Sequence, residues 1–92
     1  MKFKELQQKM ETYEWLKSIA KDYQSSIDLI DAEEEYFKVS GIQYSARSDT
    51  RTMNINPHRP ISYVYIREGL QEALDGIKTE ISDLEKELNE WL

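Results

Sequence analysis

Apolar residues recur along the first third of the chain at Phe3, Leu6, Met10, Tyr13, Leu16, Ile19, Tyr23, Ile27 and Ile30. Steps of three or four place them on one stripe of a helix. No proline or glycine interrupts residues 3–38, so the pattern predicts one long helix over that span, with Gly41 as its C-terminal stop. A helix of that length needs a long partner to cover its stripe.

The last third supplies one. Leu70, Leu74, Ile77, Ile81, Leu84, Leu88 and Trp91 alternate in steps of four and three. That is a strict heptad, with Leu74, Ile81 and Leu88 at one core position and the other four at the second. Pro60 suits an early helical position, where a missing N–H costs nothing, so a second helix is predicted over 60–92. The run Ser62-Tyr63-Val64-Tyr65-Ile66 has strand-like composition. Tyr63 and Ile66 nevertheless sit near the heptad stripe, which favours helix.

Residues 39–59 join the two helices and exceed the about 2–8 residues usual for such a connection. A competing reading pairs Ile42–Ala46 with Thr52–Asn56 as a short hairpin across Arg47–Arg51. The preferred fold class is all-α: one domain, 1–92, in which two long helices form a helical hairpin with a long ordered joint. Two stripes that face each other leave Trp15, Trp91 and several tyrosines partly wet, so the hairpin is expected to assemble into a homo-oligomeric bundle, as a dimer or larger. Gly69, Ala73 and Gly76 form a further stripe about 90° from the heptad face, with Tyr65 one turn earlier. Glycine inside a helix costs about 1 kcal/mol relative to alanine. The stripe therefore marks either a close approach by a backbone or ligand, or a tolerated weak spot on an exposed face.

Charge changes the picture most at the joint. All four arginines and the only histidine fall between Arg47 and Arg67, and Gly41–Arg67 carries +3 in a chain of net charge −6. Guanidinium groups suit bidentate capture of phosphate or carboxylate. Arg47, Arg51, Arg59 and Arg67, with Tyr44, His58 and Tyr65 for stacking and hydrogen bonding, are the candidate ligand-binding residues for an anionic, nucleotide-like molecule. Arg67 lies near a helix N-terminus, where anions are favoured. The competing reading pairs these arginines with the acidic run Asp31, Glu33, Glu34 and Glu35.

Other chemistry finds little support. With no cysteine and one histidine, neither disulfides nor a zinc site are expected. The acidic run lacks a calcium-loop pattern, and no nucleophile elbow, phosphate loop or paired-carboxylate motif accompanies His58. A non-enzymatic protein without cofactor or metal is expected. The apolar runs are too short to span a membrane, and the first residues lack a signal peptide's apolar core, so a cytoplasmic location follows. The overall acidity argues against direct DNA binding.

The layout, with Gly41, Ile42, Tyr44 and Ser45 opening the joint and a heptad helix from Ile77 through Leu88, resembles small helical proteins of phages and prophages of low-GC Gram-positive bacteria. The resemblance implies a phage-encoded protein acting in the host cytoplasm. By analogy with phage proteins that sequester nucleotide signals of bacterial immunity, it implies an anti-defence sponge capturing a phosphorylated small molecule at the joint. The alternative function is an acidic coiled-coil adaptor or inhibitor that docks on a basic host or phage protein.

Overall fold

In the computed structural model, which describes residues 2–91, two helices flank a small antiparallel hairpin. Helix α1 spans Lys2–Ala32, strand β1 Gly41–Ser45, strand β2 Thr50–Asn54 and helix α2 Tyr63–Glu90. The predicted Leu92 end of the second helix lies outside the described residues.

The two helices pack side by side and antiparallel. Leu16, Ile27 and Ile30 of α1 and Leu74 of α2 form the buried core. The rest of the heptad face, Leu70, Ile77, Ile81, Leu84 and Leu88, is half-buried against α1. Phe3 and Met10 depart from the predicted stripe and remain exposed. Lys9 donates to Glu87 at 2.6 Å, so α2 runs out close to where α1 begins. Phe3 therefore has no apposing turn to cover it.

Both helices are shorter at the joint than their patterns predict. α1 stops at Ala32, not at residue 38, two residues beyond Ile30, the last member of its stripe. Glu33, Glu34 and Glu35 follow at the negative end of the helix dipole, where carboxylates are unfavourable. The Glu33 carbonyl instead accepts from the amides of Tyr36 and Phe37, at 2.9 Å each, and turns the chain. α2 begins at Tyr63. Ser62 is its N-cap, with its hydroxyl accepting from the Val64 amide at 3.3 Å. Pro60 lies ahead of this cap, outside the helix. Ser62–Ile66 thus resolves as a cap and a first helical turn.

The all-α expectation fails between the helices, where the joint contains a two-stranded sheet. Gly41 pairs with Asn54, Ile42 with Met53, Gln43 with Thr52, Tyr44 with Arg51 and Ser45 with Thr50. The competing hairpin reading had the right kind of element, shifted along both strands. Gly41 is a strand residue instead of a helix stop. A Cβ there would lie 3.3 Å from the Met53 carbonyl oxygen, so the neighbouring backbone is close. The turn Ala46–Asp49 is closed by the Ala46 amide on the Asp49 carbonyl at 2.7 Å.

Neither strand packs against either helix. The chain measures 56 × 36 × 14 Å, with a radius of gyration of 17.7 Å, where a compact domain of this length has about 12 Å. One layer of helices with a projecting arm cannot enclose a core from both sides. The surface shows it: 7735 Å2 is exposed, against about 5,600 Å2 for a typical folded monomer of this length.

Candidate functional site

The arm distributes its side chains by strand alternation. Cross-strand partners share a face, so Ile42, Tyr44, Arg51 and Met53 lie on one side, and Gln43, Ser45, Thr50 and Thr52 on the other. The first face is apolar apart from Arg51, yet Tyr44 and Met53 remain exposed. At the tip, Asp49 organises the turn. Its carboxylate accepts from its neighbour's amide, Thr50 N, at 2.8 Å and from Arg51 Nε at 2.9 Å.

The seven sequence-predicted residues fall into three groups. Tyr44, Arg47 and Arg51 are on the arm, with Arg47 in its turn. His58 and Arg59 lie in the segment that leads from β2 to α2. The His58 amide donates to Asn56 Oδ1, and the Arg59 amide to the Asn56 carbonyl, both at 2.9 Å, which fixes a tight turn there. Tyr65 and Arg67 are on α2, Tyr65 being 71% exposed. The structure brings Tyr44 beside Arg51, and His58 beside Arg59; it does not gather the seven around one cavity.

Two of the four guanidinium groups are answered by carboxylates of their own chain. Arg67 grips Asp31 through two bonds, Nε to Oδ1 at 2.5 Å and Nη2 to Oδ2 at 2.9 Å. This bond holds the Asp31 carboxyl below its ordinary value and raises Arg67. Arg51 pairs with Asp49. Arg47 and Arg59 form no ion pair among the described residues. Of the acidic run, Asp31 alone takes an arginine; Glu33, Glu34 and Glu35 remain exposed. The charge of Glu34 raises the phenol of Tyr63 across the helix ends.

What the joint does enclose is apolar. A concavity of about 340 Å3 lies between the chain leaving α1 and the chain entering α2, lined mainly by Phe37, Val39, Ile55, Pro57, Pro60 and Ile61, with Lys38, Ser40, Asn56, Ser62 and Tyr63 completing its wall. Sequence periodicity passes over these residues, because none belongs to a helical stripe. The available signal is weaker: isolated large apolar residues set beside two prolines in an otherwise polar joint. Ile55 N donates to the Ser40 carbonyl at 3.1 Å and holds the two legs of the joint together at the root of the arm.

Among the described residues, no group of three or more His, Cys, Asp or Glu could hold a metal ion, and no helix is long and apolar enough to cross a membrane. No family model matches the chain, and no curated protein or solved structure matches it.

Proposed function

We propose that this protein is a non-enzymatic interaction module, built from more than one copy of the chain, whose acidic helices dock on a basic protein. The observation that carries this reading is the surface surplus of a single layer. The chain exposes about 2,100 Å2 more than a folded monomer of its length. That exceeds the about 800 Å2 which each partner contributes to a standard interface, so there is room for self-assembly and for a further partner. Outside Gly41–Arg67 the chain carries −9, and Glu33, Glu34 and Glu35 are exposed just beyond α1, in no ion pair among the described residues. Long-range attraction would steer a basic partner to the acidic helices. The test is capture of proteins from a lysate of the cell in which the chain is made. Binding of a basic protein that is lost when Glu33, Glu34 and Glu35 are changed to Lys supports the reading. Capture that survives the charge reversal removes the acidic run from it.

A second reading keeps a small anionic ligand, such as the nucleotide signal that the phage resemblance implies. The joint cavity favours it. Its apolar walls could take a base or other flat body, while Lys38 in the wall, and Arg59 next in sequence to the lining residue Pro60, could meet a phosphate. Thermal denaturation against a nucleotide panel decides it. A ligand at 100 times its dissociation constant adds about 2.7 kcal/mol, and no shift at millimolar concentration ends this reading.

A further inference from the structure

The two outer edges of the arm differ. At its two ends the Ala46 amide donates to the Asp49 carbonyl and the Ile55 amide to the Ser40 carbonyl. These bonds set the phase of the ladder, because bonded and unbonded pairs alternate along antiparallel strands. Ile42 and Tyr44 therefore turn their amides and carbonyls inward to β2, and Gly41, Gln43 and Ser45 turn theirs outward. On β2 the outward residues are Thr50, Thr52 and Asn54. The β2 edge is guarded near the tip, where the Asp49 carboxylate occupies the Thr50 amide and holds the Arg51 guanidinium. The β1 edge has no such guard. Its five residues include neither a charge nor a proline, the usual devices that keep an edge from pairing. No helix packs on it.

We propose that β1 pairs edge to edge with β1 of a second copy of the chain. The inference rests on the assembled form proposed above and names the surface that forms it. A two-fold axis at Gln43 sets that residue against its own counterpart, and Gly41 against Ser45 of the other copy. Every outward amide and carbonyl of both strands then has a partner. The same register sets Ile42 of each copy opposite Tyr44 of the other, on one face and at the closer spacing of an unbonded pair. Two strands from each copy make a sheet of four, with Ile42, Tyr44 and Met53 of both copies along one face. A hairpin that is marginal alone thereby gains the extra strands that an independent sheet needs.

A second copy suits this edge better than a foreign strand for three reasons. The register is self-complementary: β1 itself supplies the bonding phase and the apolar side chains that Ile42 and Tyr44 would meet. The pairing also closes. A sheet of four ends on both sides in a β2 edge, where the Thr50 amide is occupied, so the assembly stops at two copies. Charge agrees as well. Antiparallel arms bring the tip of each to the foot of the other, where the chain arrives from Glu33, Glu34 and Glu35. That tip carries Arg47, which has no ion pair among the described residues, so opposite charges face each other. The acidic helices stay uncovered and free to meet a basic protein.

Gln43→Pro and Thr52→Pro make a matched test. The two residues face each other, and each change deletes one outward N–H and no bond of the ladder between β1 and β2. Mass in solution is measured by light scattering through a dilution series for the full chain and both variants, with exchange of the Ile55 amide reporting that the arm is intact. The parent should be a dimer, and Thr52→Pro should keep its mass. Gln43→Pro should dissociate about tenfold more easily or worse, because the central bonds of the joined edge are lost. Parental mass in Gln43→Pro, or equal dissociation of both variants, overturns this edge and leaves the assembled form standing. A parent that is monomeric at every concentration overturns both. Hydrogen exchange checks the edge without any substitution. The amides of Gly41, Gln43 and Ser45 should exchange about tenfold more slowly in the dimer than in the monomer, while those of Thr52 and Asn54 do not change. Equal exchange at the two edges through a measured loss of dimer refutes the assignment, and protection of β1 that appears only with a foreign protein bound overturns the second copy as its occupant.

Discussion

The helical layer and the hairpin arm are held by different physics. In the layer, side chains hold the backbone in place: Ile27, Ile30 and Leu74 are removed from water, and the helices persist because they cover each other. In the arm, backbone pairing holds side chains that remain wet. All five residues of β2 are exposed, and no helix supports either strand. A two-stranded hairpin alone is marginally stable in water. The arm persists because its legs are tethered at Ser40 and Ile55 and its turn is organised by Asp49. A small protein can therefore carry one stiff region and one that opens separately, with stability set by how much apolar surface each conceals.

The largest test of this contrast is Leu74→Ala. Truncating a fully buried leucine should cost about 2–5 kcal/mol, and for so small a core the helical signal should collapse in thermal or urea melts. Retention of parental stability would mean that the layer is not held by its side chains. Gly41→Val should act on the arm alone. Its Cβ would sit 3.3 Å from the Met53 carbonyl oxygen, and a strain of about 1 kcal/mol should speed amide exchange at Ile55 without moving the helical melt. Asp49→Ala should have a smaller effect confined to the turn, seen as faster exchange of the Thr50 amide, since it removes the carboxylate that amide bonds to.

The smallest expected effect is that of pH on the layer. The Arg67 guanidinium holds the Asp31 carboxyl below its ordinary 3.8. A depressed carboxylate stabilises the fold above its unfolded value and loses that contribution as pH falls through the folded one. Stability should therefore be flat from neutrality down to about pH 4, by this pair alone, and decline below it. Asp31→Asn should remove that part of the acid-side slope while leaving the neutral Tm only slightly lower. An unchanged slope would show that the bond seen between the helices contributes nothing in solution.

The sequence revealed the layer more readily than the arm. The heptad from Leu70 to Leu88 is the face that α2 turns to α1, because repeated burial leaves a period in the chain. The end of α1 is also present in the pattern, at Ile30; residues 33–38 contain no helix breaker, yet Asp31, Glu33, Glu34 and Glu35 set four carboxylates at the unfavourable end of the dipole. The hairpin was harder to see. Its tip is Arg47-Ser48, with no glycine or asparagine, and no described residue has a positive φ, so the usual turn signature is absent. The arginine cluster was visible as composition. The competing pairing with the acidic run holds for one pair, Arg67 with Asp31; that Asp49 would claim Arg51 depends on where the chain turns, which composition does not record. The apolar hollow is formed by residues with no mutual period and could emerge only from their positions in space.

The antiparallel course of the two rods has a practical consequence. Lys9 bonded to Glu87 puts both extremities of the described chain at the end remote from the arm. A dye, affinity handle or surface tether attached beside Lys2 or Trp91 would stand about 45 Å from the arm, one helix length away. Immobilising the molecule there would leave the joint facing free solution, and two labels placed there would report on each other without touching whatever the joint holds.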